Sequence, residues 1–329
     1  MASPPTNPFN QLLVDCQNNP NVIQARYETH RANRNALFRE KLLHEDFPGW
    51  QIDEILSKLV AQPVAQNQDE SAALEAPTLA PVKFTDHRHN LNLYARPPKH
   101  IKKLVAEIQR EIRDVAPSLW FSPPESLHIT TLEIASSRTQ EEIDDLAGWL
   151  LQDGTAQKLA NYIPDNNHCV RLFKPIVSYD ASAMALSFLP AAGEPTTVDK
   201  QQHEDAYTYH HLRRDLAATV LESGIALGAR YVVPSAHVTI ARFVTQDGFL
   251  LEDKKVGGSN VAALVRRIER VNAMLREKYW SREGGEGSIP AKGEWVVGQE
   301  QGLEFNKGTS WYGGGEKVLV GRASVTQLT

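Results

Sequence analysis

Cysteine is nearly absent from these 329 residues. Cys16 and Cys169 are too few and too far apart for a disulfide framework, and neither has the C-x-x-C spacing of a structural zinc site. So sparing a use of cysteine fits a reducing compartment. Long apolar runs are missing as well: nothing approaches the roughly 18 residues of a membrane helix. The opening MASPPTNPFN has neither the basic nor the apolar region of a secretory signal. The expectation is an intracellular protein, cytoplasmic or nuclear, with no membrane partner. Excess positive charge is the third absence. With 35 Lys+Arg against 40 Asp+Glu the net charge is −5, which argues against a surface that grips duplex DNA along its length but leaves room for a local basic groove. With 41% apolar and 23% charged residues, the composition is that of a globular chain and excludes wholesale disorder.

The chain changes character along its length. Residues 1–20 are rich in Pro and Asn and read as a loose tail. From Val22 to Leu43 a charged helix is expected, with too few apolar positions to stand alone. Pro48-Gly49 ends it, and Ile52, Ile55, Leu56 and Leu59 give a short second helix. Residues 61–81, rich in Pro, Gln, Ala and Glu, read as a linker. The expected organisation is therefore a tail, helical extension and linker over 1–81, then a main domain over 82–329.

In the main domain strands and helices mix. A strand over 91–95 leads through Pro97-Pro98 to a helix with Ile101, Leu104, Val105, Ile108, Ile112 and Val115 on one face. A strand LHITTLEIA (127–135) and a helix over 139–151 follow, the latter with Thr139 and Glu142 as a capping box. Residues 169–189 read as two or three short strands, and the polar 191–205 as a surface loop. A helix over 207–222, a strand AHVTIARFV (236–244), a long helix capped by Ser259 and strands after Trp295 complete the pattern.

One regularity stands out. The helix ending near Val115 is followed 13 residues later by His128, and the helix ending near Ser223 is followed 14 residues later by His237. Each helix also has a strand upstream, so a strand–helix–strand unit occurs twice with a histidine at the same place. The motifs read His128-Ile129-Thr130-Thr131 and His237-Val238-Thr239-Ile240. Side chains alternate along a strand, so His128 shares a face with Thr130, and His237 with Thr239. An apolar residue and then Thr should follow a given histidine about once in 30–50 times by chance. One such hit is an ordinary structural histidine; two at matching places in a repeat are a pattern. Two imidazoles can divide proton acceptance and donation near neutral pH. Two hydroxyls can hold phosphate oxygens. That set suffices to split a phosphodiester.

With these motifs on paired strand–helix–strand units, the region 84–323 resembles the two-histidine (2H) phosphoesterase superfamily. SAHVTIAR (235–242) and LHITTLEI are similar to the signatures of its LigT-like members. The resemblance implies an α+β fold with two lobes, an antiparallel sheet in each, and an active site between them. It implies His128 and His237 as the acid–base pair, Thr130 and Thr239 as phosphate ligands, and no metal or other cofactor. Arg242 matches an arginine often found five residues after the second histidine, although strict alternation turns it to the opposite face, so its role needs a bulge or a strand end. The expected partner is a small cyclic nucleotide or an RNA 3′ end, and the expected reaction is hydrolysis of a 2′,3′-cyclic phosphate. Trimming of RNA 3′ ends, opening of an ADP-ribose cyclic phosphate, and non-catalytic nucleotide or RNA binding with a partner recruited by the N-terminal helices remain alternatives. The long N-terminal extension and the surplus around 191–205 lie outside the family pattern.

Other features read more simply. His87-Arg88-His89 is a solvated turn, His210-His211 a polar helix face beside Arg213-Arg214, and Arg266, Arg267 and Arg270 the solvated side of the last long helix. Gly313-Gly314-Gly315 and Gly284-Gly285-Glu286-Gly287 are turns lacking the Lys-Ser/Thr of a phosphate loop. Trp120, Phe121 and Tyr231 have the chemistry to stack a base but read first as packing.

Overall fold

Alternation and turn chemistry produce two antiparallel sheets in the computed structural model, which describes residues 6–62, 84–168, 170–194, 205–229, 231–252, 255–280 and 293–324. In chain order the elements are α1 (Asn10–Asp15), α2 (Pro20–Leu43), α3 (Glu54–Val60), β1 (His89–Ala95), α4 (Lys99–Arg113), β2 (Trp120–Phe121) and β3 (Ile129–Arg138). Then come α5 (Gln140–Gln152), α6 (Thr155–Ala160), α7 (Tyr162–Asn166), β4 (Val170–Tyr179), β5 (Ala183–Pro190) and α8 (Tyr209–Glu222). The chain continues through β6 (Ala236–Arg242), α9 (Gly258–Tyr279), β7 (Trp295–Val297), β8 (Glu304–Gly308) and β9 (Glu316–Val320). One sheet has the order β3-β1-β8-β9, the other β2-β6-β5-β4-β7. Among the described residues no helix is long and apolar enough to cross a membrane.

The sheets are not successive halves of the sequence. Strand β2, between α4 and β3, crosses to the second sheet and pairs with β6, Trp120 opposite Arg242 and Phe121 opposite Ala241. Helix α4, which follows β1, packs on α9 and β6 of the second sheet; helix α8, which follows β5, packs on β3 of the first. Each sheet thus receives a helix from the unit whose strands build the other.

Local chemistry accounts for most boundaries. Thr139 and Glu142 form the expected capping box of α5, with Glu142 accepting from the Thr139 backbone N–H at 2.9 Å. Helix α9 begins earlier than Ser259: Gly257 is its N-cap and Gly258 its first residue. Residues 170–190 form two strands rather than three; the expected break at Pro175 is a register irregularity between Phe173 and Ile176, with Lys174 at φ +50°. The linker 61–81 and the loop 191–205 fall largely outside the described residues. Cys169 and Gly284-Gly285-Glu286-Gly287 fall wholly outside them.

The described part of the N-terminal tail is packed, contrary to its composition. Phe9, Leu13 and Cys16 are buried, because α1 lies on α8. His210 fixes the contact: its Nε2 donates to the Phe9 carbonyl at 3.0 Å, and its Nδ1 accepts from Tyr27 Oη at 3.0 Å. His210 is therefore a core residue and not part of a polar face, since both ring nitrogens find partners inside. His211 is buried too, its Nδ1 accepting from the Thr208 N–H. Helix α2 lies on β4 and β5, and Trp50 stacks on Phe243 with ring centroids 3.8 Å apart.

Candidate active site

The four motif residues line one cavity of about 450 Å³. Thr130 comes from the first sheet, with His128 immediately before its strand β3, His237 and Thr239 from the second, and Arg242, Arg213, Tyr231, Tyr312, Trp120 and Glu133 complete much of the wall. The size lies within the usual range for small-molecule sites, roughly 300–1,000 Å³. All five residues singled out from the sequence are therefore brought together.

Arg242 reaches this wall through a β-bulge. On β6, Thr239 pairs with Ala185 while Ala241 pairs with Met184, so Ile240 is an extra residue. The bulge shifts the alternation by one, and His237, Thr239 and Arg242 come to one side. Strand β3 has the same device. Thr130 pairs with Tyr94 and Leu132 with Leu93, which leaves Thr131 extra, and Glu133 lines the cavity with His128 and Thr130. Each bulge thus lies three residues after its histidine, and the fifth residue is Glu133 on one strand and Arg242 on the other. The buried Thr131 hydroxyl donates to the Leu93 carbonyl at 2.9 Å, replacing a hydrogen bond lost from the ladder.

Two buried side chains hold the bulges. Gln109 of α4 donates to the Ser122 carbonyl, six residues before His128, and to the Ile240 carbonyl in the other motif, both at 2.9 Å. Arg213 of α8 donates to the Tyr231 carbonyl at 2.5 Å, six residues before His237, and to the Thr131 carbonyl in the other motif at 3.3 Å. A further Arg213 bond goes to the Val233 carbonyl at 2.9 Å. Each clamp ties the approach to its own histidine to the bulge beyond the other.

The imidazoles differ in their partners. His128 Nδ1 donates to the Ser126 carbonyl at 2.8 Å, so in the neutral ring Nε2 is the acceptor. Its ring lies 4.0 Å from that of Tyr94, centroid to centroid. Behind it, Arg96 and the buried Glu304 form a bidentate pair at 3.0 and 2.5 Å. His237 Nδ1 sits 3.0 Å from Ser235 Oγ, and Tyr231 meets its ring edge-on. Burial pushes both pKa values down, each from 6.5 to about 4. For His128 the Ser126 carbonyl and Glu304 favour the charged form while Arg96 and Arg242 oppose it; Arg213, His128, Arg34 and Arg242 press His237 further down.

Several contributors were not singled out from the sequence. The turn at Gly313, with φ +85°, lies against the Ser126 backbone; a Cβ there would stand 2.1 Å from the carbonyl oxygen that holds His128. Tyr312 donates to Asp53 of the N-terminal segment at 2.7 Å, and Asp53 in turn lies 3.5 Å from Arg242. Arg88 pairs with Asp86 at 2.8 Å rather than lying in a solvated turn, and Arg267 reaches Glu111 at 3.2 Å. Gln109 and Arg213 had a sequence signal: each interrupts the apolar stripe of an amphipathic helix, Gln109 between Val105 and Ile112, Arg213 between Tyr209 and Leu216. Among the described residues, no three His, Cys, Asp or Glu side chains gather as a metal-binding group.

No family model matches the chain, and no curated protein does. Solved structures similar to it include a conserved protein of unknown function from Agrobacterium tumefaciens, with TM-score 0.43 and 11% identity over 75% of this chain and 94% of that one. Usb1 from Kluyveromyces marxianus aligns with TM-score 0.33 and 14% identity over 68% of this chain and 95% of its own. Both scores are low, and the chemistry of the cavity rests on its own geometry.

Proposed function

We propose that this protein is a phosphodiesterase of the 2H type, hydrolysing 2′,3′-cyclic phosphates of nucleotides or RNA ends with its two histidines. The observation that carries the reading is the single cavity lined by His128, Thr130, His237 and Thr239. In this reading the strand–helix–strand units form two facing lobes, and the Thr130 and Thr239 hydroxyls donate to the non-bridging phosphate oxygens. Arg242 offsets their charge as it grows toward the transition state. Water attacks phosphorus and gives its proton to neutral His237, while the P–O bond to one ribose oxygen breaks and His128 protonates that oxygen. The product is a phosphomonoester, and the net proton count is unchanged.

The division of labour is taken by analogy with the family that the motifs resemble. His128 has a carbonyl acceptor and a carboxylate that favour its charged form, against Arg96 and Arg242, which disfavour it. His237 faces cationic groups that favour its neutral form, which suits a base. Because both pKa values sit near 4 in the free protein, kcat/KM should peak on the acid side of neutrality and fall as pH rises. An anionic phosphate in the cavity raises both values, so the kcat profile should lie at higher pH than that of kcat/KM.

The test is a panel of 2′,3′-cyclic nucleotides and short RNAs ending in cyclic phosphate, assayed in EDTA with products identified by phosphorus NMR. Conversion to monoesters that disappears in His128→Ala and His237→Ala is expected. Wild-type rates in either variant would overturn the mechanism. Binding of the whole panel without turnover would favour the non-catalytic alternative.

A further inference from the structure

The cavity does not end at His237. A second chamber of about 210 Å³ shares Tyr231, Ser235, His237, Thr239 and Arg242 with it and continues between α2 and β5. Its far wall is formed by His30, Arg31 and Arg34 of α2, with Ser178, Asp180 and Ser182 opposite. The cationic wall is a gift of the N-terminal extension. Charged residues with so little apolar support become understandable when one side of α2 faces a polar chamber.

Besides Arg31 Nη2, which pairs with Glu28, three buried polar atoms of this chamber lack hydrogen-bond partners among the described residues: Ser178 Oγ and two nitrogens. His30 Nε2 and Arg242 Nε are both shielded from solvent, and neither makes a hydrogen bond among the described residues. Groups of this kind normally find an acceptor. Arg34 is hydrogen-bonded to Asp180. That carboxylate is already engaged by the Ser182 N–H and hydroxyl, each at 2.7 Å, and by the Ala183 N–H at 2.9 Å. Asp180 thus closes the β4–β5 turn, and the remaining guanidinium donors of Arg34, whose side chain is 41% exposed, are left for the chamber. Arg31 is committed elsewhere: it donates to the Lys174 carbonyl at 2.6 Å and pairs with Glu28. The chamber is smaller than a typical ligand site, roughly 300 Å³ and upward. It has room for a phosphate group.

We propose that this chamber is a second phosphate subsite, in which Arg34 and His30 hold the phosphate next to the reacting one. Arg242 stands at the junction and serves both. The proposal rests on the phosphodiesterase reading and narrows its substrate class to ligands with at least two phosphates, such as an oligoribonucleotide end or a pyrophosphate-bearing nucleotide, in preference to a mononucleotide. An arginine presents paired donors that match a phosphate.

The test is calorimetric titration of the full chain with three ligands: a nucleoside 3′-phosphate, a dinucleotide with the same terminal 3′-phosphate, and a nucleoside 3′-phosphate 5′-diphosphate. The second phosphate should tighten binding about tenfold or more, and whichever ligand gains shows whether a diester or a pyrophosphate is the natural occupant. Arg34→Gln should remove most of that gain, and Arg34→Lys should retain much of it. Equal affinity for all three ligands, or a gain that persists in Arg34→Gln, overturns the subsite. A thermal melt of each variant separates misfolding from lost contact, and a misfolded Arg34→Gln leaves His30→Gln to make the same comparison. Turnover of the corresponding cyclic phosphates, measured in parallel, reports on the activity independently: a gain in binding without hydrolysis keeps the subsite and removes the phosphodiesterase reading.

Discussion

The two motif strands share a backbone and differ in charge. Each has a histidine, a threonine two residues on, a bulge at the third residue and a cavity-lining side chain at the fifth. Each bulge is clamped by a helix from the other unit. On the first strand the fifth residue is Glu133 and the clamp is a guanidinium; on the second the fifth residue is Arg242 and the clamp is a neutral amide. Matching geometry places two imidazoles on one cavity, and burial holds both at about 4. Under the proposed function the roles of acid and base are what the two variants' pH–rate profiles distinguish.

Removing either histidine is the largest perturbation. His128→Ala and His237→Ala should each lower kcat about 10²–10⁴-fold. They should also erase opposite limbs of the pH–rate profile, the basic limb for His128 and the acidic limb for His237. Loss of the same limb in both variants would break the comparison.

The fifth residues come next. Arg242→Gln should lower kcat/KM about 10- to 100-fold, through lost charge on the phosphate. Glu133→Gln on the matching strand should change it no more than about threefold. Steady-state kinetics on the two variants decides, and equal effects would show that the two positions are alike in function as well as in backbone.

The clamps sharpen the comparison further. Gln109→Leu and Arg213→Met each leave buried carbonyls without donors and should cost about 2–4 kcal/mol of stability in chemical denaturation. Only Arg213→Met should also move the acidic limb to higher pH, because the guanidinium holds the His237 pKa down. An unshifted limb in Arg213→Met would make the arginine a purely structural clamp. Gly313→Ala, which pushes on Ser126, should slow turnover severalfold through His128 with little change in KM.

The last effect concerns the whole fold. His128, His237, His210 and His211 are all held below 6.5, at about 4, 4, 3 and 4 respectively. The unfolded chain therefore binds these protons first as pH falls. The stability these groups contribute is complete above about 6.5 and is lost as pH drops through their folded values toward 4. Denaturant midpoints that stay flat from pH 7 to 4.5 would contradict this.

The candidate site was legible where chemistry repeats in short motifs. His128, Thr130, His237 and Thr239 declare themselves by spacing, and Thr139 with Glu142 marks a helix start by a local hydrogen-bond pattern. Arg242 was legible only in part, because alternation predicts the wrong face and the correction lies in a bulge that Ile240 does not advertise. Glu133 was hidden for the same reason. Gln109 and Arg213 show as polar residues on apolar stripes, but which carbonyls they reach depends on helices crossing between sheets. The packing of Phe9 and Leu13 was masked by a Pro- and Asn-rich composition, and their anchor, His210, lies 201 residues from Phe9.

The central claim is that both imidazoles face one phosphate. NMR titration of the histidine side chains, with and without saturating inorganic phosphate, tests it without relying on turnover. The account predicts that His128 and His237 rise together from about 4 when phosphate binds, while buried His210 and His211 stay where they are. A rise confined to one of the pair, or shared by all four, would contradict it.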